Sequence, residues 1–251
     1  MKTICAALAL LAALPGCTQS APATPPAAAP ALPIPPDEVR LAGNLPTTAF
    51  ASPAVFEAAF RPGTTIRQDS TLFRCRPQEL GQLRSESGKL LAGDPIAIAD
   101  KPAFTQRFPI GAFPVQVALL GVGQDERVGF VRVVFDTARV VRWQPALLPG
   151  QAPLTLRDST FYCYGVDAGL GTIMDSVANQ EFARLGQATW DRVFIDAAER
   201  PDYVGYLYQF GGHNLATFPT GLGDGCYPTY LGFDAKGRVC RLLTDFSMIN
   251  W

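Results

Sequence analysis

Along the 251-residue chain the hydrophobic positions fall into three regimes. Ile4 to Leu14 is an unbroken apolar run, and Thr18 to Pro36 is mostly alanine and proline, without charge or period. Further on, short apolar segments alternate with turn residues. The dominant rhythm of that third regime is that of strands. Leu72–Cys75, Lys89–Ala92, Ile96–Ala99, Phe113–Val122, Arg127–Phe135, Arg139–Trp143 and Phe161–Val166 read as strands. Tyr203–Phe210, Leu215–Phe218, Tyr227–Phe233 and Arg238–Thr244 continue the series. The last two are joined by Asp234-Ala235-Lys236-Gly237, a hairpin loop with glycine where a positive φ is needed. Alternation in Val131-Arg132-Val133 and Val140-Val141-Arg142-Trp143 predicts sheets with one wetter face.

A helical period interrupts the strands. Ser52-Pro53 reads as an N-cap and first helical residue, opening a short helix that Arg61-Pro62-Gly63 ends. Asp175 can cap a second, whose Val177, Ala178, Phe182 and Leu185 share one side. Thr189 can cap a third, where Trp190, Val193, Phe194 and Ala197 recur at helical spacing before Pro201. Strands outnumber helices and adjoin one another without βαβ alternation. The expected fold is therefore α+β, a mostly antiparallel, β-rich single domain over residues 38–251 with two or three short helices.

The leader changes the picture of where this domain works. Lys2, the apolar run and small Gly16 before Cys17 have the order of an export signal over residues 1–16. A bilayer needs about 20 apolar residues in a helix, so this run is too short to span. Leu14-Pro15-Gly16-Cys17 resembles the lipobox of bacterial lipoproteins, in which the cysteine becomes the lipid-modified mature N-terminus; the alternative is an ordinary secretory signal cut a few residues later. Residues 17–37 then read as lipidated Cys17 and an extended, semi-rigid spacer. Thr18 rather than Asp after the cysteine implies, by the same resemblance, the outer membrane facing the periplasm in a diderm host.

Charge and cysteine usage narrow the function. The formal net charge is −1, and losing residues 1–16 removes Lys2 alone, which gives −2. A chain this close to neutrality, with no arginine–lysine stripe, lacks the footprint of a nucleic-acid binder. With Cys5 in the leader and Cys17 lipidated, Cys75, Cys163, Cys226 and Cys240 remain, an even number that an exported domain can pair. Cys226 and Cys240 lie out of register in the predicted hairpin and are not expected to pair with each other. Buried free thiols are the alternative. No CxxC spacing exists and His213 is the sole histidine, so a zinc site has few ligands and a serine or cysteine hydrolase only one base. GxSxG, GxGxxG and P-loop patterns are absent.

The remaining chemistry is carboxylate. Asp224 stands between Gly223 and Gly225, and Asp167 precedes Gly169; each is either a ligand or a turn residue bonding nearby backbone N–H groups. Asp175 is a helix cap or a ligand, and Asp245 closes the last strand. Were the fold to converge all four, they would make an oxygen cage for calcium or an acid–base pair for glycosidic bonds, although no DxDxDG loop is present. Trp143, Trp190 and Trp251 read as packing residues, with a docking tail at Ile249-Asn250-Trp251 as the alternative.

Several landmarks share an order with a known family. Gly93-Asp94-Pro95, Gly111-Ala112-Phe113-Pro114-Val115, Val166-Asp167-Ala168-Gly169 and Asp175 are followed by Gly223-Asp224-Gly225, Tyr227, Gly232 and Asp245-Phe246. From about Gly88 to Phe246 the chain resembles the bacterial domain-of-unknown-function family 4241, whose hallmark is a GDG motif. The resemblance implies a relative and no activity. The expectation is a non-catalytic, membrane-tethered binding module of the cell envelope, immunity-like in its specific version, with the membrane and an unknown protein as partners and no cofactor. A carboxylate-dependent hydrolase of envelope glycans and a calcium-stabilised structural domain are the alternatives.

Overall fold

The computed structural model describes residues 38–40, 53–156, 161–198 and 204–251. The leader, Cys17, the spacer, the Ser52 cap and Pro201 lie outside them. Within them the chain forms fourteen strands and three helices. Strand β1 (Glu38–Arg40) precedes helix α1 (Val55–Ala58), then come β2 (Thr65–Gln68), β3 (Thr71–Ser85), β4 (Leu90–Gly93), β5 (Gly111–Val122), β6 (Asp125–Val134), β7 (Arg142–Pro145), β8 (Tyr164–Val166) and β9 (Leu170–Asp175). Helices α2 (Ser176–Leu185) and α3 (Gln187–Ala198) follow, then β10 (Tyr206–Phe210), β11 (His213–Pro219), β12 (Gly225–Tyr227), β13 (Thr229–Phe233) and β14 (Val239–Asp245).

The strands make three sheets, in the orders β1-β2-β3-β5-β6-β14-β13-β7, β10-β11-β9-β4 and β12-β8. Every pairing is antiparallel except β1 with β2. The expected β-rich, mostly antiparallel class with short helices is what the chain adopts.

Both large sheets carry packing on both faces, which gives four layers, while Arg74, Arg76, Glu79, Gln82 and Arg84 of β3 stay exposed. Between the sheets lie Val115, Val117, Leu119, Val133 and Leu242 from the first and Leu90, Ile173, Ala216 and Phe218 from the second. The alternate residues of the first sheet, Ala118, Leu120, Phe130, Tyr230 and Leu243, point outward and are covered by Val55, Phe56 and Phe60 around α1 and by Ile249 and Trp251. The outward residues of the second, Leu91, Met174, Phe210 and Leu215, are covered by Ala178 and Phe182 of α2 and Val193 of α3. Strand period 2 sorts these side chains, and a bulge at Gly129 of β6, opposite Ala118/Leu119, brings Val128 onto the same face as Val131 and Val133.

The expected wetter face of β6 is thus corrected. Arg132 sits under α1, 4.0 Å from the Phe60 ring centre, and donates to Glu57 Oε1 at 3.1 Å and to Gln116 Oε1 at 2.9 Å. Burial pulls its guanidinium down to about 10, against the pull of Glu57. Arg241 places Nε 3.2 Å from the same Glu57 oxygen, so one carboxylate faces two buried guanidiniums. Aromatic rings complete this layer: Phe56 lies 5.1 Å from Trp143, 5.0 Å from Tyr230 and 4.5 Å from Trp251. Trp251 therefore packs on its own domain, and Trp190 lies 5.0 Å from Phe182 in the helical layer.

Several boundaries differ from the sequence expectation. Ile96–Ala99 is a turn, because the Asp94 side chain captures the Ile96 N–H at 2.8 Å and the Asp94 carbonyl accepts from Ala97. Helix α3 begins directly after Gly186, which turns the chain at φ 75°, so Thr189 is inside the helix rather than its cap. Strand β9 has no counterpart in the sequence pattern. Its Gly171 is required by close approach, since a Cβ there would meet Phe218 Cε2 at 2.5 Å. Most of β3 is likewise hidden, because Pro77 and Gly81 punctuate a polar sequence; Pro77 is tolerated where β2 has ended and one side of β3 is open. Asn214 bolts the two large sheets together, accepting from Arg84 N at 2.9 Å and donating to the Gln82 carbonyl at 2.9 Å.

Candidate functional site

Strands β4, β9 and β11 are neighbours, and their turns meet at one end of the four-stranded sheet. Gly93 pairs with Thr172, and Leu170 with Pro219. Three loops therefore come together: Asp94–Ile96 after β4, Val166–Gly169 before β9, and Thr220–Gly225 after β11.

Two carboxylates stitch them. Asp94 is 3 % exposed. Its Oδ1 accepts from Ile96 N at 2.8 Å, and its Oδ2 accepts from Asp167 N at 2.7 Å and Ala168 N at 2.9 Å. Asp224 Oδ1 accepts from Gly169 N at 3.0 Å. The GDG turn is further closed by Thr220: its carbonyl accepts from Gly223 N at 2.9 Å, and its hydroxyl donates to the Gly223 carbonyl at 2.7 Å. The Tyr227 hydroxyl donates to the Gly223 carbonyl at 2.6 Å. Gly169 and Gly223 take φ 64° and 115°, conformations that L side chains strain to reach, and Cα of Gly223 lies 3.9 Å from where a Gly169 Cβ would stand.

Beyond the turns, the short β12–β8 sheet pairs Gly225 with Val166, Cys226 with Gly165 and Tyr227 with Tyr164. Cys163 and Cys226 form a disulfide, while Cys75 and Cys240 are buried free thiols. The four cysteines thus divide between the two expected readings, and Cys226 does not pair with Cys240. Burial pushes the Cys75 thiol up to about 12 and raises that of Cys240, so neither supplies a thiolate. Next to the disulfide opens a cleft with about 310 Å³ of empty space, part of it open to solvent. Its walls include Phe104, Leu148, Gln151, Tyr162, Tyr164 and Tyr227. Burial also raises the phenols of Tyr164 and Tyr227, which stay neutral.

Of the sequence candidates, Asp167, Gly169, Gly223, Asp224 and Gly225 come together here. Asp175 and Asp245 do not. Asp175 is at the opposite end of β9, fully buried, accepting from Val177 N at 2.9 Å as the α2 cap and from Glu86 N at 3.0 Å and Ser87 N at 2.9 Å. Asp245 shares the outward face of the eight-stranded sheet with Leu243, accepting from Ser247 N at 2.8 Å and Trp251 Nε1 at 2.6 Å. The four-carboxylate convergence considered from the sequence is not formed. Among the described residues no group of three or more His, Cys, Asp or Glu side chains is placed to hold a metal ion. His213 begins β11, about 20 Å of strand from the turns at its far end, and its Nδ1 is 2.6 Å from Glu86 Oε1.

The residue that sequence reasoning under-weights is Asp94. Its signal is the Asp-Pro step, which favours a turn begun by the aspartate side chain. Asp94→Ala would leave three N–H groups without their acceptor. It is expected to cost about 2–4 kcal/mol in chemical denaturation, against under about 1 kcal/mol for Asp224→Ala, which removes one exposed bond. Equal losses would contradict this ranking.

Asp245 generates a pH dependence. Burial pushes its carboxyl up to about 6, although the Trp251 and Ser247 bonds pull the other way. The folded chain thus holds this proton more tightly than the unfolded chain does. Stability from this group is full below pH ~4 and falls as pH rises to about 6, by about 1.4 kcal/mol per pH unit. Asp245→Asn should flatten the stability profile between pH ~4 and ~6; an unchanged slope in the variant would refute the assignment.

Comparison with known proteins places the turns, the disulfide and the cleft inside one shared unit. Residues 83–244 match the model of DUF4241, a family described as proteins of unknown function. Neither a curated protein nor a solved structure matches the chain. The match covers more than half of the sequence and leaves out α1 and the C-terminal Trp251; the chain belongs to the DUF4241 family.

Proposed function

We propose that this chain is a non-catalytic binding module of the cell envelope, carried on lipidated Cys17 and the alanine–proline spacer, with a protein as its partner. In a diderm host the anchor is the outer membrane and the module faces the periplasm. One observation carries the reading. The turns at the candidate site are held by their own carboxylates, and they display exposed apolar side chains rather than a reactive group. Ile96 is 55 % exposed on the Asp94 turn, and Leu222 is 74 % exposed beside the GDG turn. Phe161, two residues before the disulfide, is 56 % exposed. Rigid turns presenting apolar anchors near an aromatic-walled cleft suit protein recognition, where a few large side chains dominate affinity.

An immunity-like role, in which the partner is a toxin kept inactive by the complex, is the specific version of this reading. It rests on the compact tethered form alone.

Site-specific photo-crosslinking in cells tests the proposal, with the full chain carrying the crosslinker at Ile96 or Leu222. Val122, an exposed side chain on the β5–β6 hairpin of the other large sheet, is the control. A discrete protein adduct at least about tenfold stronger from the turn positions than from the control is expected. Adducts absent, or equal at all three positions, would overturn the reading.

A further inference from the structure

We propose that the Cys163–Cys226 disulfide is a thiol-exchange site, a latch on the cleft that a dithiol reductant opens without unfolding the domain. Among the described cysteines this is the accessible pair. Cys226 is exposed and Cys163 half-buried, whereas Cys75 and Cys240 are enclosed in the outer layer and beneath it. Exposed disulfides are the ones that thiolates reach, and they are the labile or regulatory class.

Its position makes the bond local in effect. It crosses the β12–β8 sheet, which has three residue pairs, and no strand of either large sheet is bridged by it. A two-stranded ribbon of that length has little stability of its own. One end of the ribbon is independently fastened, because Asp94 holds Asp167 and Ala168 and Asp224 holds Gly169. The other end leads into Tyr162 and Cys163, both of which line the cleft. There the disulfide ties the cleft wall to β12. Opening it therefore frees the wall at Tyr162 and leaves the turns in place.

The exchange balances with a dithiol as the sole co-reactant. A thiolate of the dithiol attacks Cys226 Sγ, the S–S bond breaks, and its electron pair leaves on Cys163 Sγ, which takes a proton. The second thiol then attacks the reductant's sulfur in the mixed disulfide and releases Cys226 as a thiol. Two electrons and two protons pass to the protein, and the dithiol becomes a disulfide. Cys75 and Cys240 stay out of the reaction because they are buried.

Any effect of the latch on partner binding rests on the binding module proposed for this chain; the latch itself does not. The test treats the folded chain with dithiothreitol near neutral pH, alkylates it under native conditions, and maps the products. Among the described cysteines, modification at Cys163 and Cys226 and not at Cys75 or Cys240 is expected, with the cooperative melt retained. Amide exchange should rise at least about tenfold within Tyr162–Gly165 and Gly225–Tyr227 and stay unchanged in β5, β6 and β14. Three results would overturn the latch: a disulfide that survives until the domain melts, modification that reaches Cys75 and Cys240 together with the pair, or reduction that leaves exchange unchanged. Repeating the Leu222 crosslink on oxidised and reduced chain separates the two readings. No adduct in either state removes the binding reading and leaves the latch standing.

Discussion

The Asp94 carboxylate is the interaction on which the candidate site depends. It is nearly excluded from solvent and accepts three backbone N–H groups from two loops that are more than seventy residues apart. Losing this acceptor strands several donors at once. The β4 turn and the β8–β9 turn are thereby made one rigid piece. The GDG turn joins that piece through a single further bond from Gly169 to Asp224. A family hallmark that looks like a chemical group in one dimension is, in three, the second stitch of a seam.

The four-layer build explains why aspartates carry so much of this work. Asp94, Asp175 and Asp245 stand at the ends of buried strands, so their carboxylates are enclosed and take their hydrogen bonds from the backbone N–H groups of the turns beside them. Short acidic side chains can turn back on the backbone and supply the missing acceptor. Asp175 does this for the α2 terminus and for the loop after β3; Asp245 does it for the C-terminal turn. Glu57 plays a different part, neutralising arginines that the outer layer has enclosed. In that layer α1, Ile249 and Trp251 lie outside the matched residues, whereas the sheet residues they cover lie mostly inside.

Much of the fold is legible in the sequence because its signals are local. The hairpin at Asp234–Gly237, the Asp175 cap and the strand character of β5, β6, β13 and β14 follow from turn chemistry and residue type within a few positions. Strand β9 and the length of β3 are not legible, since glycine and proline there serve tertiary contacts: Gly171 makes room for Phe218, and Pro77 lies where β3 is unpaired on one side. The site is half legible. Glycines mark the turns at Asp167 and Asp224, but which segments they join depends on strand order. Sequence position cannot reveal that Asp175 and Asp245 sit at other ends and faces of the sheets, nor that Cys163 is the partner of Cys226.

The central claim is that the carboxylates at the meeting of the three turns are structural acceptors. Amide hydrogen exchange at Asp167 and Ala168 in the unmodified protein tests it most directly. Both residues lie in a surface turn without strand pairing, yet their N–H groups should exchange at least about a hundredfold more slowly than an open chain, because Asp94 holds them. Exchange at the open-chain rate would mean that the Asp94 carboxylate is free for other chemistry, and its role as a structural acceptor would be contradicted.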